Sequence, residues 1–132
     1  MTPPQLVTGV DFVGLPTREL DAAVEFYGST LGLPRSVYIK ERHYAEFETG
    51  NLTLSVYNAE AMGLEHHANA PTNAIALHVE NVADARAALE QRGVRFSAET
   101  LDTGVCHMAF FADPDGNALM LHHRYAPRTT EA

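Results

Sequence analysis

The stretch "FFADPDGNALMLHH", residues 110–123, decides the predicted fold. An apolar run leads into an Asp-Pro-Asp-Gly turn, and a second apolar run leads out of it. Pro, Asp and Gly are the residues that tight turns favour, so the stretch predicts two strands joined by a turn. Met120 lies four residues after Gly116, on a strand that ends in two adjacent histidines.

The chain contains a second, weaker copy of this pattern. The stretch "GNLTLSVYN" (50–58) matches "GNALMLHHR" (116–124) at an offset of 66 residues. In the same order, "FVGLPTRELDAAVEFY" (12–27) matches "AIALHVENVADARAAL" (74–89) at an offset of 62. Two ordered matches at nearly one offset predict two copies of one structural unit.

The pattern predicts that each unit contains a strand, an amphipathic helix and three further strands. The units span about residues 8–60 and 72–125, with a linker at about 61–71, and together form a single domain over 1–132. After the second helix, the next strand is predicted at "VRFSAET", residues 94–100. The predicted fold is α+β, with two tandem βαβββ units whose mixed sheets form a curved, partly closed barrel with the helices outside.

Composition excludes several classes of function. The net charge of -8 and the scattered basic residues argue against a nucleic-acid partner. Cys106 is the single cysteine, which fits a reducing compartment and an inert thiol. No apolar run reaches membrane-spanning length, and the first residues lack the charged and apolar segments of a signal peptide. We therefore expect a cytoplasmic protein with a small-molecule ligand, no nucleic acid and no membrane partner.

Three segments together resemble the vicinal oxygen chelate superfamily: "LDAAVEFYGSTLGL", "AIALHVENVADARAALEQRG" and "FFADPDGNALML". This superfamily includes glyoxalase I, extradiol dioxygenases, fosfomycin-resistance enzymes and bleomycin-resistance proteins. The resemblance covers about residues 8–125 and implies a ligand site in the concave interior of the sheets. It also implies a homodimer. It does not single out one activity, since fold does not imply function.

The metal-binding members of that superfamily carry His or Glu at four strand positions. Carried over to this chain, the first position falls on Phe12, or on Asp11 after a shift of one residue. The other three fall on Leu54, Ala74 and Met120. The four side chains at Phe12, Leu54, Ala74 and Met120 offer no hard metal donor. The resemblance thus implies a site converted from metal binding to apolar contact, with no cofactor. The alternative for Met120 is a flexible filler of the core.

Alternation along the strands extends this set of positions. Ala74, Ala76 and His78 share one face, and so do Met120 and His122. The predicted ligand-binding cavity comprises Phe12, Leu54, Val56, Ala74, Ala76, His78, Met120 and His122.

The histidines allow two interpretations. His78 and His122, with His107 as a third member, are the candidate catalytic residues, and a divalent metal is expected only if His78 and His122 form a site. In the other interpretation these histidines lie at strand ends and bond to solvent or backbone. Two histidines without a carboxylate at a matched position favour this second interpretation.

Three hypotheses for function follow, and whether the chain is an enzyme stays open among them. The first is a metal-free small-molecule binding protein of the bleomycin-resistance type. It would sequester a planar or aromatic compound in an apolar cavity formed with a second subunit, in an antibiotic-resistance-like role. The second is a glyoxalase- or dioxygenase-like enzyme with a displaced metal site around His78 and His122. The third is a non-catalytic regulatory subunit.

Overall fold

The computed structural model describes residues 3–128, and its first half contains one helix and four strands. A π-helical turn at Phe26–Thr30 continues the helix, and Gly32 follows it with a φ of 74°. This left-handed backbone is one that glycine adopts without strain, so the chain can reverse there. The elements in chain order are β1 (Phe12–Pro16), α1 (Leu20–Glu25), β2 (Arg35–Ile39), β3 (Tyr44–Glu48) and β4 (Thr53–Tyr57).

The second half repeats the same order of elements. The side chain of Asn81 accepts a hydrogen bond from the backbone N–H of Asp84 and caps the second helix. Among the described residues, neither helix combines the length and the apolar character needed to cross a membrane. The elements are β5 (Ile75–His78), α2 (Val82–Gln91), β6 (Leu101–Asp102), β7 (Cys106–Ala112) and β8 (Ala118–Arg124).

The strand predicted at residues 94–100 is wrong, because β6 comprises only Leu101–Asp102. The ring of Phe96 packs against Phe111, with centroids 5.2 Å apart, and the Arg86 guanidinium lies over the same ring. Ser97 donates one backbone hydrogen bond to Phe110. Apolar packing thus holds this segment against the sheet without a strand ladder.

The strands form two four-stranded mixed sheets, in the orders β1-β4-β3-β2 and β5-β8-β7-β6. In each sheet the first strand of the unit, β1 or β5, pairs in parallel with the last strand, β4 or β8. The other pairs are antiparallel. The predicted α+β fold with tandem βαβββ units is confirmed. The strands of residues 3–128 remain in two separate sheets, so the barrel is not closed.

One face of each sheet packs on the helices and builds a core that both units share. Leu15, Phe47 and Leu54 of the first unit join Leu119 and Leu121 of the second in this core. We call the opposite face of each sheet, which turns away from the helices, the open face. The helices therefore lie on one side of the sheets, as predicted, and they do not cover the open faces.

The Asp-Pro-Asp-Gly turn ties the two units together. The buried hydroxyl of Tyr27 in the π-helical turn donates a hydrogen bond to Asp113 Oδ2 over 2.7 Å. Asp113 Oδ1 accepts from the backbone N–H groups of Asp115 and Asn117, and Asn117 Nδ2 donates both to Asp113 and to the carbonyl oxygen of Pro16. Burial, and then the charge of Asp113, raise the pKa of Tyr27 well above its ordinary value, so the hydroxyl stays a donor. The most conspicuous motif of the sequence is therefore structural.

Candidate functional site

The structure splits the predicted cavity residues of the first sheet between its two faces. Val13 pairs with Leu54 and Leu15 with Val56, and Leu54 and Val56 are fully buried against the helices. Phe12 pairs with Thr53 on the open face and is 58% exposed. Leu54 and Val56 therefore do not share a wall with Phe12, and their placement beside it was wrong.

The error comes from the length of one turn. The turn at 49–52, between β3 and β4, is one residue shorter than the turn at 113–117, between β7 and β8. Because side chains alternate with a period of two, a one-residue difference moves a strand's whole pattern to the other face. Matching the two Gly-Asn pairs thus aligned Leu54 with Met120, whereas Thr53, Ser55 and Tyr57 occupy the open face of β4.

In the second sheet the predicted residues stay together. Ala76 pairs with Met120, and His78 pairs with His122. Phe110 also pairs with Met120, from β7, so Met120 lies centrally on the open face. Met120 is half-buried there and is not a residue of the closed core. Ala74 lies just before β5 and is half-buried.

The residues at the family's ligand positions do not fit a metal, even after the register is corrected. Phe12, Ala74 and Met120 are apolar, and the open-face residues on either side of Leu54 are Thr53 and Ser55. Ser55 pairs with Gly14, and a Cβ atom at Gly14 would lie 3.1 Å from the Tyr57 ring, so an aromatic side chain occupies the space beside this pair. Apolar and hydroxyl groups replace the imidazole and carboxylate donors that such a metal requires.

A cleft of about 620 Å³ lies between the two units, beside the edge strand β5. Leu31, Leu33, Leu52 and Leu54 line it from the first unit. From the second unit it is lined by Ile75, Ala76, Leu77, His78, Val79, Ala85, Ala88, Leu89, Arg92 and Leu121. Its volume and mainly aliphatic wall match those of small-molecule pockets. Of the predicted cavity residues, Leu54, Ala76 and His78 line this cleft.

Polar groups lie at the border of the cleft. Thr49 and Asn51 belong to the first unit, and Arg92 ends the helix of the second. Arg92 Nη1 donates a hydrogen bond to the carbonyl oxygen of Thr30 over 2.8 Å, which bridges the units. The guanidinium is thus fixed at the cleft and can bind an acceptor or anionic group of a ligand.

The structure regroups the candidate histidines. His78 and His122 are neighbours in register, but the ligand atoms that converge with His78 come from Glu80 and His123. Partial burial, and then the charges of His78 and His123, lower the pKa of His122. His122 is therefore biased toward its neutral form.

His107 does not join His78 and His122. It pairs with His123, on the face of Leu119 and Leu121, which is the helix side of the sheet. Its Nε2 lies 3.3 Å from Asp102, and its ring lies 4.8 Å from that of Tyr125. A hydrogen bond from the backbone of Gly104, and then one from Tyr125, lower the pKa of Asp102. The prediction of His107 as a third member of a His78–His122 site is wrong, because His107 lies on the helix side of the sheet and contacts Asp102 and Tyr125 instead.

Two features of this region were missed from the sequence. Glu80 belongs to the motif "HVE" and His123 to the motif "HH". The His-x-Glu pattern at the end of a strand could have indicated Glu80 as a metal ligand. The cleft residues Leu52, Ala88 and Arg92 carry no such signal, because the cleft arises only when the two units pack together.

Comparison with known proteins agrees with the fold. The profile of the Glyoxalase/Bleomycin resistance protein/Dioxygenase superfamily matches residues 9–121. No curated protein matches the chain.

Solved structures show the same architecture at low sequence identity. A member of the glyoxalase/bleomycin resistance protein/dioxygenase superfamily from Sphaerobacter thermophilus DSM 20745 is 18% identical, with a TM-score of 0.76 over 89% of this chain and 98% of that one. TnmS3, an antibiotic binding protein from Streptomyces sp. CB03234, is 20% identical, with a TM-score of 0.75 over 92% and 99%. Lactoylglutathione lyase from Agrobacterium tumefaciens is 16% identical, with a TM-score of 0.73 over 89% and 95%. These similarities include a binding protein and an enzyme, so they show the fold alone.

Proposed function

The chain belongs to the glyoxalase/bleomycin resistance protein/dioxygenase superfamily, and from this premise we propose that it is a small-molecule binding protein whose ligand contacts are apolar and need no metal. The observation that carries the proposal is the lack of metal donors at the positions carried over from the family. Phe12, Ala74 and Met120 are apolar, and the residues on either side of Leu54 in β4 are Thr53 and Ser55, which bear hydroxyl groups. The antibiotic-binding activity named for TnmS3 supports a binding role on this fold.

We place the ligand in the cleft between the units. Binding energy would come mainly from burial of apolar ligand surface, at about 25 cal/mol per Å². Arg92 would select a ligand with an acceptor or acidic group at one end, since its guanidinium lies at the cleft. The lining residues include no Phe, Tyr or Trp, so the wall offers aliphatic contacts to the ligand and no aromatic stacking.

The test uses two exposed alanines of the same helix. Ala88 lines the cleft and Ala87 does not, so Ala88→Phe should fill the cleft while Ala87→Phe is the matched control. The probe is 1-anilinonaphthalene-8-sulfonate, an apolar molecule with one anionic group, titrated with and without EDTA. We expect saturable binding that EDTA leaves unchanged, that Ala88→Phe weakens by about tenfold or more, and that Ala87→Phe leaves unchanged.

Other outcomes would redirect the assignment. Equal binding by both alanine variants, with loss in Met120→Glu, would move the site to the open face of the second sheet. Loss of binding in EDTA would favour the metal-dependent alternative.

The proposal includes a homodimer in the cytoplasm. Leu6, Val7 and Val10 precede β1 in a segment without helix or strand and are 91%, 76% and 66% exposed, and Phe12 at the start of β1 is also exposed. Exposed apolar groups of this kind favour association, and a second copy of the chain is the partner that symmetric assembly would supply. Light scattering should give twice the chain mass, and Phe12→Asp should lower it toward one chain. A wild-type mass equal to one chain at micromolar concentration would contradict this.

A further inference from the structure

Three side chains converge where β5 ends and the cap of α2 begins. His78 is the last residue of β5, Glu80 follows two residues later, and His123 lies on the adjacent strand β8. One ligand atom from each residue lies within 4.8 Å of the other two. The cluster lies away from the positions at which the family's metal enzymes place their ligands, and it does not depend on the proposed function.

Hydrogen bonding fixes the tautomer of His123. Its Nδ1 lies 3.1 Å from the carbonyl oxygen of Val79, which can only accept a hydrogen bond. Nδ1 therefore carries the proton, and Nε2 keeps a free lone pair. Metal-binding histidines typically donate their other ring N–H to a carbonyl or carboxylate in this way, which orients the ring and raises its basicity.

The backbone holds the cluster in place. Val79 donates its own N–H to the carbonyl oxygen of His122 over 3.0 Å, so the segment that follows β5 stays paired with β8. The rings of His78 and His123 lie 5.8 Å apart, centroid to centroid. Alternation assigns His78 and His123 to opposite faces of the sheet, but their rings meet where the edge strand β5 ends.

The other two side chains are free to adjust. His78 Nε2 lies 3.2 Å from Glu80 Oε1, and the two side chains are 66% and 90% exposed. An exposed pair of this kind contributes little to stability, so its contact can be exchanged for metal coordination at small cost. Tetrahedral zinc needs ligand atoms about 3.4 Å apart, which side-chain rotation of His78 and Glu80 can reach.

We propose that His78, Glu80 and His123 form a Zn²⁺ site. Two imidazole nitrogens and one carboxylate oxygen are a ligand set that Zn²⁺ favours, and three protein ligands leave a fourth position for water or another ligand. A smaller pocket of about 300 Å³, lined by Glu80, His107, His123 and Tyr125, lies beside the cluster and gives that fourth position access.

The chain offers a matched control for ordinary surface binding. His67 Nε2 lies 2.8 Å from Glu65, and both side chains are strongly exposed. Among residues 3–128, the grouping of three metal-binding side chains within reach of one another occurs at His78, Glu80 and His123, and the His67–Glu65 pair lacks a third member. A site that depends on convergence of three ligands should therefore respond to changes at His123 and Glu80 and not at His67.

The experiment titrates ZnCl₂ into full-length protein without a histidine tag and measures heat, with Co²⁺ absorption as the readout of coordination geometry. We expect one equivalent bound and the intense visible bands of tetrahedral Co²⁺. His123→Ala should weaken Zn²⁺ binding by about 10–100-fold, Glu80→Gln should weaken it measurably, and His67→Ala should leave it unchanged. Because Glu80 is exposed, Glu80→Gln tests the site even if His123→Ala disturbs folding. Binding of the anilinonaphthalene probe should persist in Glu80→Gln, which separates this proposal from the ligand cleft.

Three results would overturn the site. One is no Zn²⁺ binding at about 100 μM, a concentration at which a three-ligand protein site should be occupied. Another is equal weakening by His67→Ala and His123→Ala, which would indicate scattered surface binding. The third is loss of binding in His122→Ala with retention in His123→Ala, which would return the site to His78 and His122.

Discussion

The turns at 49–52 and 113–117 occupy the same place in the two units and contain the same Gly-Asn pair. Their hydrogen bonds nevertheless differ, because the first turn bonds within itself and the second bonds to the other unit. In the first unit Thr49 Oγ1 bonds to the carbonyl oxygen of Leu52 within the turn, and Asn51 is exposed. In the second unit Asp113 and Asn117 are buried and bond to Tyr27 and Pro16 across the boundary between units. A repeat can therefore conserve its shape while only one copy holds the halves together.

The difference of one residue between the turns also determines which side chains lie on the open face of each sheet. In the first sheet it turns Leu54 into the core, whereas Met120 in the second sheet lies on the open face. Apolar residues at matched sequence positions thus have opposite environments. The largest effects we predict come from testing that contrast directly.

Introducing a carboxylate at each of these two positions should give very different losses of stability. Leu54→Glu buries an unpaired carboxylate in the core and should cost at least about 4 kcal/mol of unfolding free energy. Met120→Glu keeps its carboxylate near solvent and should cost about 1 kcal/mol. Urea denaturation of both variants measures the difference. Equal losses would mean that Met120 is enclosed, by the chain or by a second copy.

The sequence predicted the order of elements well, because alternation, helical spacing and turn residues act locally. The cap at Asn81 depends on neighbours within one helix turn, and alternation along a single strand puts Ala76 on the face of His78 and Met120 on the face of His122. The register of β4 relative to β8 could not be read reliably, since it depends on a single residue in a turn whose Gly-Asn pair is otherwise shared.

The candidate sites were less predictable than the fold. The cleft needs Leu52 of one unit to face Ala88 of the other, and no local pattern encodes that packing. The Glu80 carboxylate was overlooked because it lies beyond the strand end, where alternation no longer defines direction. The position of His123 depends on its hydrogen bond to Val79, which only the structure shows.

The next largest effect is expected at the buried hydrogen bonds of Asp113 and Asn117, which join the two units. We call these bonds the tie between the units. Asp113→Ala removes the acceptor for Tyr27, Asn117 and the turn backbone, and should cost about 3–4 kcal/mol because buried donors lose their partner. Asp115→Ala in the same turn removes one acceptor of the Arg18 backbone N–H at a half-exposed site and should cost about 1 kcal/mol. Thermal unfolding of the two variants side by side checks the ratio, and similar melting temperatures would show that the tie is not the main contact between units.

Removal of the Tyr27 hydroxyl should have a smaller effect that depends on pH. Tyr27→Phe should cost about 1–2 kcal/mol at neutral pH, because Asp113 loses one donor. The pKa of Tyr27 is raised in the folded protein, so its contribution is fully present below the unfolded value of 10.0 and is lost as pH rises above it. The stability gap between wild type and Tyr27→Phe should therefore shrink above about pH 10. Denaturation curves from pH 8 to 11 measure this gap, and a constant gap would show that Tyr27 ionises freely in the fold.

The smallest effect is expected in the shorter turn. Asn51→Ala removes an exposed amide that accepts a hydrogen bond from the Thr49 hydroxyl over 3.3 Å, and should change the unfolding free energy by less than about 0.5 kcal/mol. The hydrogen bond from Thr49 to Leu52 still closes the turn, and Gly50 keeps the positive φ that the chain reversal needs.

The same substitution at Asn117 is the comparison. Asn117→Ala removes the hydrogen bonds from a fully buried side chain to Pro16 and Asp113, so the difference between the two variants measures the contacts between the units separately from the formation of the turn. Because Asn51 lines the cleft, probe binding should be measured on the same variant. A large loss of stability in Asn51→Ala would mean that the first turn also braces the two units, and the functional contrast between the turns would not hold.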